Sequence, residues 1–254
     1  MDITSFAPIA AVLDAAYSVV IGLTGLLDPL VGAAAAAVAV VLITVIVRTL
    51  LIPVGASQVK AEFTRRRLAP KLAELRRRYG KNPELLQRKT MSLYAEEKAS
   101  PFAGCLPLLL QAPVLSTVYG LFAFASINGH ANALLGEELL GAPLGGSLFE
   151  LVSSGTITGG AWLPYVPLLG IIAVVAGLSR VVAIRFAAAA PVVAAVPAAL
   201  APDGPLSWLA FATVIIAAVV PLAAALYLAI TTTWTLLERM LLRRMLAPAR
   251  TATT

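Results

Sequence analysis

The stretch VGAAAAAVAVVLITVIVRTLLIP, residues 31–53, decides the fold. It carries one charge, Arg48. As a helix it is ~35 Å long at 1.5 Å per residue, enough to cross a hydrocarbon core of ~30 Å. Its β-branched residues do not argue for a strand at this length. Pro53 is expected to close the span. A guanidinium inside a span costs at least about 2.5 kcal/mol, so Arg48 faces protein or a water-filled cavity. The competing reading is snorkelling: from five residues before Pro53 its stem reaches the headgroups. Thr44 lies one turn earlier on the same face.

Working outward, residues 1–30 are apolar but broken by Asp14, Gly22, Gly25 and Asp28-Pro29. Phe6, Ile9, Leu13, Ala16, Val20 and Leu23 repeat at helical spacing, which predicts an amphipathic helix in the outer interface, with a full span as the competitor. On the other side of Pro53 the character changes. Residues 55–104 hold twelve basic and five acidic residues, a net +7 that exceeds the +6 of the whole chain. Leu68, Leu72, Leu75 and Tyr79 recur at helical spacing. Gly80-Lys81-Asn82-Pro83 then reads as a stop and restart: Gly80 suits the left-handed position after a helix, Asn82 an N-cap, Pro83 the first turn and Glu84 its positive end. The expectation is a cytoplasmic helical hairpin, its second helix ending near Lys98. Its solvated basic residues Arg65, Arg66, Arg76, Arg77 and Arg78 are candidates for contact with a partner.

A second span follows at 105–126, with Pro107, Gln111 and Pro113 near its start, then a Gly-rich loop at 127–161 and a third span at 162–180. Residues 205–240 are apolar with Pro221 near the middle, and basic residues resume at 241–254. Positive loops stay cytoplasmic. The segments without Lys or Arg, 1–47 and 127–160, therefore go outside, and an even number of crossings must separate Arg185 from Arg239. A single helix over 205–240 gives the wrong parity and would be ~54 Å long. A late hairpin is required, with its tip at Pro221 or at Asp203-Gly204-Pro205.

Composition agrees. The 254 residues are 59% hydrophobic and 13% charged, with a mean hydropathy of +0.90; soluble chains hold about 25% charge. One cysteine, Cys105, and one histidine, His130, exclude an internal disulfide framework, a CxxC motif and a His-based metal or catalytic site. Gly80-Lys81 is followed by Asn82 and preceded by no strand, so it is not a phosphate-binding loop. No HExxH occurs. The start lacks the basic region of a signal peptide. Polar groups do fall within spans: Gln111, Ser116, Thr117 and Tyr119 in the second, Tyr227, Thr231, Thr232, Thr233 and Trp234 in the last. Hydroxyls bonded to their own helix explain such groups without any function.

From Arg48 onward the chain resembles the YidC-type membrane protein insertases and their mitochondrial oxidase-assembly and chloroplast albino relatives. The likeness rests on Ile43 to Arg48 with Pro53, Leu68-Ala69-Pro70-Lys71, Met91-Ser92-Leu93-Tyr94, Pro221-Leu222-Ala223 with Leu226-Tyr227, and above all Ser100-Pro101-Phe102-Ala103-Gly104-Cys105-Leu106-Pro107-Leu108-Leu109-Leu110-Gln111-Ala112-Pro113. It covers about residues 31–240 and suits the short Gram-positive form, with no large periplasmic domain, lipid-anchored start or long ribosome-binding tail. Where the family often pairs two aromatics this chain has Tyr227-Leu228.

The resemblance implies an all-α membrane protein: five transmembrane helices enclosing a hydrophilic groove that is closed outside and open to the cytoplasm. It places the late tip at Pro221. The organisation is then 1–30 outside segment, 31–54 first span, 55–104 hairpin, 105–126 second span, 127–161 outside loop, 162–180 third span, 181–204 cytoplasmic loop, 205–220 and 221–240 the last spans, and 241–254 a basic tail. The chain would be multi-pass in the bacterial plasma membrane, N-terminus outside and C-terminus cytoplasmic. The implied function is insertion and folding of nascent membrane proteins, with Arg48, Thr44, Gln111, Ser116, Tyr119, Tyr227 and Thr231 lining the groove. No cofactor, metal or catalytic residue is implied, and there is no specific nucleic-acid site. Partners would be nascent chains and the lipid bilayer, with the ribosome and a Sec translocon as further candidates. Two other classes stay open: a small transporter or channel with an anion site at Arg48, and an assembly scaffold acting through the basic hairpin.

Overall fold

A computed structural model of the chain describes residues 7–99, 106–124, 126–127, 129–155, 160–188 and 204–247. Cys105, the side chain of Gln111, most of the 181–204 loop and the end of the basic tail fall outside the described residues. The chain divides into two compact units: Met1–Leu50, Leu110–Gly177 and Ala210–Trp234 form one, and Leu51–Leu109, Leu178–Leu209 and Thr235–Thr254 the other. Among the described residues two helical runs, Ala10–Leu50 and Tyr165–Ala187, have the length and hydropathy to cross a bilayer.

In the first unit, helix α1 (Ala7–Val31) is followed by a 3-10 turn (Gly32–Ala34) and helix α2 (Ala35–Leu50). Gly32 makes the turn at φ +55°, the left-handed region that a side chain would resist. The first half of α1 rests where helix α5 (Leu106–Ala123) ends. The Leu13 side chain sits against Gly120, and the Tyr17 hydroxyl accepts from Ala133 N at 3.3 Å. On α2 the buried residues are Ala35, Ala36, Ala37, Ala39, Val40 and Thr44. Small side chains of this kind let helices approach closely where lipid gives no hydrophobic drive. Ala223, Ala224 and Ala225 form the same kind of surface on α9 (Leu222–Met245).

The loop at 127–161, expected only to be Gly-rich, is folded where it is described. It holds two antiparallel ribbons, β1 (Ser126–Ile127) with β2 (His130–Ala131) and β3 (Glu138–Leu139) with β4 (Ala142–Pro143). These are minor exceptions to an all-α fold. Helix α6 (Leu148–Ser153) follows, capped by Ser147 Oγ, which accepts from Glu150 N at 3.1 Å. The loop seals two helix ends. Asn132 Nδ2 donates to the carbonyls of Leu121 at 2.6 Å and Phe124 at 2.8 Å, and its Oδ1 accepts from Leu134 N at 3.1 Å. The loop also supplies acceptors to α9. A first helical turn has N–H groups with no partner inside the helix, and Pro221 has none to offer. The next two are taken by the loop: Leu222 N donates to Gly146 O at 2.8 Å and Ala223 N to Leu144 O at 3.1 Å. Tyr165 OH donates to the same Gly146 carbonyl at 2.9 Å. Leu134, Leu144 and Tyr165 are fully buried beneath.

The late apolar region breaks at Val220-Pro221, where Val220 is extended at ψ 161°, the conformation a residue before proline prefers. Helix α8 covers only Ala212–Val219, and residues Pro205–Phe211 wind as a 3-10 helix. The expected fourth span is thus α-helical only in its second half. Helix α7 (Tyr165–Ala188) runs eight residues past the expected end of the third span.

In the second unit, Pro53 does not end a helix; it starts one. Helix α3 runs Ile52–Tyr79, with Leu51 as N-cap and Pro53 in its first turn. Proline is tolerated there because that turn needs no N–H from it. Gly80 stays right-handed (φ −60°) and donates to Arg76 O at 2.9 Å, so the left-handed stop predicted for it is not used. Asn82 caps α4 (Pro83–Glu96) as predicted, its Oδ1 accepting from Leu85 N at 3.0 Å. Helix α4 stops at Glu96, and Lys98 takes the left-handed conformation at φ +49°. Glu97 bridges back to α3 through Lys71 and, at 3.0 Å, Arg67. The Lys71 bond, more than the charges of Lys71 and Arg67, holds its carboxyl below the usual range. Whatever this bridge contributes is present at neutral pH and is lost only on strong acidification.

The base of α3 is clamped inside this unit. Glu62 takes a two-pronged ion pair from Arg243, at 2.6 and 3.2 Å. The Phe186 ring lies between two guanidiniums, Arg66 at 3.8 Å and Arg243 at 4.0 Å, with Phe63 edge-on at 5.8 Å. Arg66 also donates to Phe186 O at 2.8 Å. Nearer the start of α3 the Glu238 carboxylate lies against Gly55, and a Cβ there would displace it.

Two outcomes follow. Asn132→Ala strips partners from the α5 carbonyls and should cost about 2 kcal/mol, read as a lower thermal midpoint in detergent. Glu62→Ala and Arg243→Ala should each destabilise the full chain, and the double variant should lose at least about 1 kcal/mol less than the sum.

Candidate functional site

Arg48 stands in the last turn of α2, where a cation complements the helix's negative end. It is half-buried. Its guanidinium and the Thr231 hydroxyl both act on the phenol of Tyr227. Tyr227 and Thr231 are one turn apart on α9 and only 3% and 5% exposed, so this is an interior contact between α2 and α9. Of the two readings of Arg48, the structure gives it partners within the protein. Thr44 is buried one turn earlier, its hydroxyl donating to Val40 O at 2.7 Å. Trp234, one turn beyond Thr231, has its indole nitrogen buried without a hydrogen-bond partner among the described residues.

The other expected lining residues do not join this group. Ser116 is exposed and donates to Pro113 O at 2.9 Å, the bland bond within its own helix. Tyr119 is 43% exposed, and the side chain of Gln111 is outside the described residues. A cavity of about 420 Å³ does exist in this unit, bounded by α1, α2 and α5. Val12, Ala16, Val40, Val47, Val114 and Leu121 typify its walls. Thr44 and Thr117 are its hydroxyl-bearing residues, and both hydroxyls are spent on carbonyls of their own helices. Arg48 is not in its wall. The polar cluster and the cavity are therefore separate features, where sequence reasoning expected one hydrophilic groove holding all seven residues.

Of the basic residues expected on the hairpin surface, Arg65, Arg76, Arg77 and Arg78 are exposed, with Arg78 paired to Glu74 at 2.6 Å. Arg66 is different: its partners are Phe186 and its position is part-buried, so it builds the unit and is not surface. The Glu62–Arg243–Phe186 clamp was missed. Its signal in sequence, a glutamate one turn before Arg66, is indistinguishable from an ordinary solvated pair.

Apolar helices with exposed Leu42, Ile46, Ile171, Val174, Ile215 and Ile216, joined to a basic helical insert and an interior arginine, define a helical membrane protein. The chain belongs to the 60Kd inner membrane protein family, the family of the YidC-type insertases, whose profile matches residues 26–249. Three relatives are each named membrane protein insertase YidC. That of Clostridium perfringens is 30% identical over 150 residues, 59% of this chain and 62% of the relative. That of Haemophilus ducreyi is 40% identical over 89 residues, 35% of this chain and 17% of the relative. That of Fusobacterium nucleatum is 32% identical over 84 residues, 33% of this chain and 41% of the relative. The chain thus matches less than two thirds of the length of each.

The cluster and the cavity separate two kinds of hydroxyl. Thr44→Val should change the thermal midpoint little, within about 0.5 kcal/mol, because the hydroxyl serves only its own helix. Tyr227→Phe should cost about 1–2 kcal/mol, because it strips an interior partner from Arg48.

Proposed function

We propose that this chain inserts nascent membrane proteins into the lipid bilayer and assists their folding, without bond-making or bond-breaking chemistry. The observation that carries the reading is Arg48, a guanidinium within an apolar helical run and half-buried beside Tyr227 of α9. A desolvated guanidinium attracts an anionic or strongly polar group more strongly than the same charge in water. A substrate's polar flank would pause there while its apolar segment slides over the exposed faces of the spans into lipid. Burial of that segment supplies the energy, aided by the membrane potential acting on its charges. The fold lends support in the sealed loop over α5 and α9, which gives the unit a closed end opposite the Arg48 end of α2.

The topology we propose keeps the basic insert and C-terminus cytoplasmic, with α1 and the folded loop outside. The contacts of Leu13 and Tyr17 with the end of α5 and its loop favour this placement of α1. Arg65, Arg76, Arg77 and Arg78 remain the proposed surface for a ribosome or a Sec translocon, and Arg66 is withdrawn from it.

The test uses the full chain in vesicles and a stalled single-span nascent chain with an acidic flank. Photo-crosslinkers at positions 44, 111 and 227 should form adducts. Arg48→Ala should lower insertion about tenfold, the loss expected for one charge-assisted hydrogen bond, and Arg48→Lys should restore part of it. Absence of adducts at all three positions, with Arg48→Ala silent, would sink the proposal.

A further inference from the structure

Near the end of α7 a second arginine is held in a way that neither the clamp nor the Arg48 cluster accounts for. Arg180 Nε donates to Ser207 Oγ at 2.9 Å, and that hydroxyl donates in turn to Gly204 O at 2.7 Å. The guanidinium lies over the Trp208 ring, 4.7 Å from its centroid. Both groups come from the second unit. Tethering Nε fixes the plane of the guanidinium, and among the described residues its terminal nitrogens have no hydrogen-bond partner. Neither α7 nor Pro205–Phe211 carries an Asp or Glu of its own beside Arg180 and Arg185.

The surroundings are apolar and outward-facing. Trp208 is 59% exposed and Leu209 70%, and Leu178 and Val181 are exposed on either side of Arg180 along α7. A soluble partner would meet hydrocarbon here. A bilayer offers both required chemistries a few ångströms apart: acyl chain for Leu178, Val181 and Leu209, and anionic phosphate for the guanidinium. An indole prefers the boundary between the two.

We propose that Arg180, Trp208 and Ser207 form a binding site for an anionic phospholipid headgroup. The phosphate would take the two terminal nitrogens of Arg180, a geometry suited to a planar guanidinium. Trp208 would lie at headgroup depth, and Leu209 would reach the first methylenes. Ser207 is a positioning residue that sets the guanidinium plane. The site rests on the chain being embedded in a membrane and does not depend on the insertase reading or on Arg48.

The experiment uses the full chain with Trp162→Phe and Trp234→Phe, which leaves Trp208 as the reporter, in vesicles of phosphatidylcholine or phosphatidylglycerol brominated on the acyl chains. Fluorescence quenching and its dependence on the lipid mixture give relative affinity. Phosphatidylglycerol should be preferred about fivefold, the weight of one interfacial arginine. Arg180→Gln should abolish the preference, and Ser207→Ala should reduce it while Trp208 stays quenched. Equal quenching by the two lipids, or a preference that survives Arg180→Gln, overturns the proposal. So does displacement of phosphatidylglycerol by inorganic phosphate at equal concentration, which would mark a site for free phosphate. If Arg180→Gln fails to fold, Arg180→Lys serves: a point charge without the planar pair of donors should keep less than half of the preference.

Discussion

A guanidinium in an apolar helix has to be satisfied by the protein, and Arg48 is satisfied by α9. This contact constrains much of the first unit. Tyr227 is buried beside it, with Thr231 one turn further along α9. Both helices also bury runs of alanine, Ala35 to Ala37 with Ala39 on one and Ala223 to Ala225 on the other, small side chains that admit close packing. Leucine in those positions would add apolar surface that lipid does not reward and would hold the helices apart.

Much of this was legible in the sequence. Apolar length and the clustering of basic residues identify spans and insert because a bilayer core admits only internally satisfied backbone, and the helix is the local way to satisfy it. Asn82-Pro83-Glu84 gave the start of α4 because caps are local chemistry. What failed was non-local. Pro53 has the same sequence signature whether it ends one helix or begins another, and the choice fell to a one-residue joint at Leu51. The loop at 127–161 has little periodicity, so its order comes from carbonyls and N–H groups that meet across long sequence separations.

The candidate site was legible only in part. Arg48 with Tyr227 and Thr231 follows from the cost of burying polarity in a span: each such group needs a partner, and these are neighbours. Ser116 and Tyr119 share their composition but not their surroundings, because a hydroxyl in a helix can always turn back on its own carbonyl. Periodicity assigns a face; it does not say whether that face meets a helix, lipid or water. Arg66 teaches the same lesson in the insert: amid a run of solvated arginines, one turns inward because Phe186 and its carbonyl stand there.

The seal over α9 is built from main-chain atoms. Leu222 and Ala223 donate, Gly146 and Leu144 accept, and no side chain of those four takes part in the bonds. Adding or deleting a single residue between Leu144 and Gly146 would throw the acceptors out of step, and the buried Leu144 and the tight space around Gly145 narrow what can stand there. Homologues of this chain should accordingly keep the length of this short stretch.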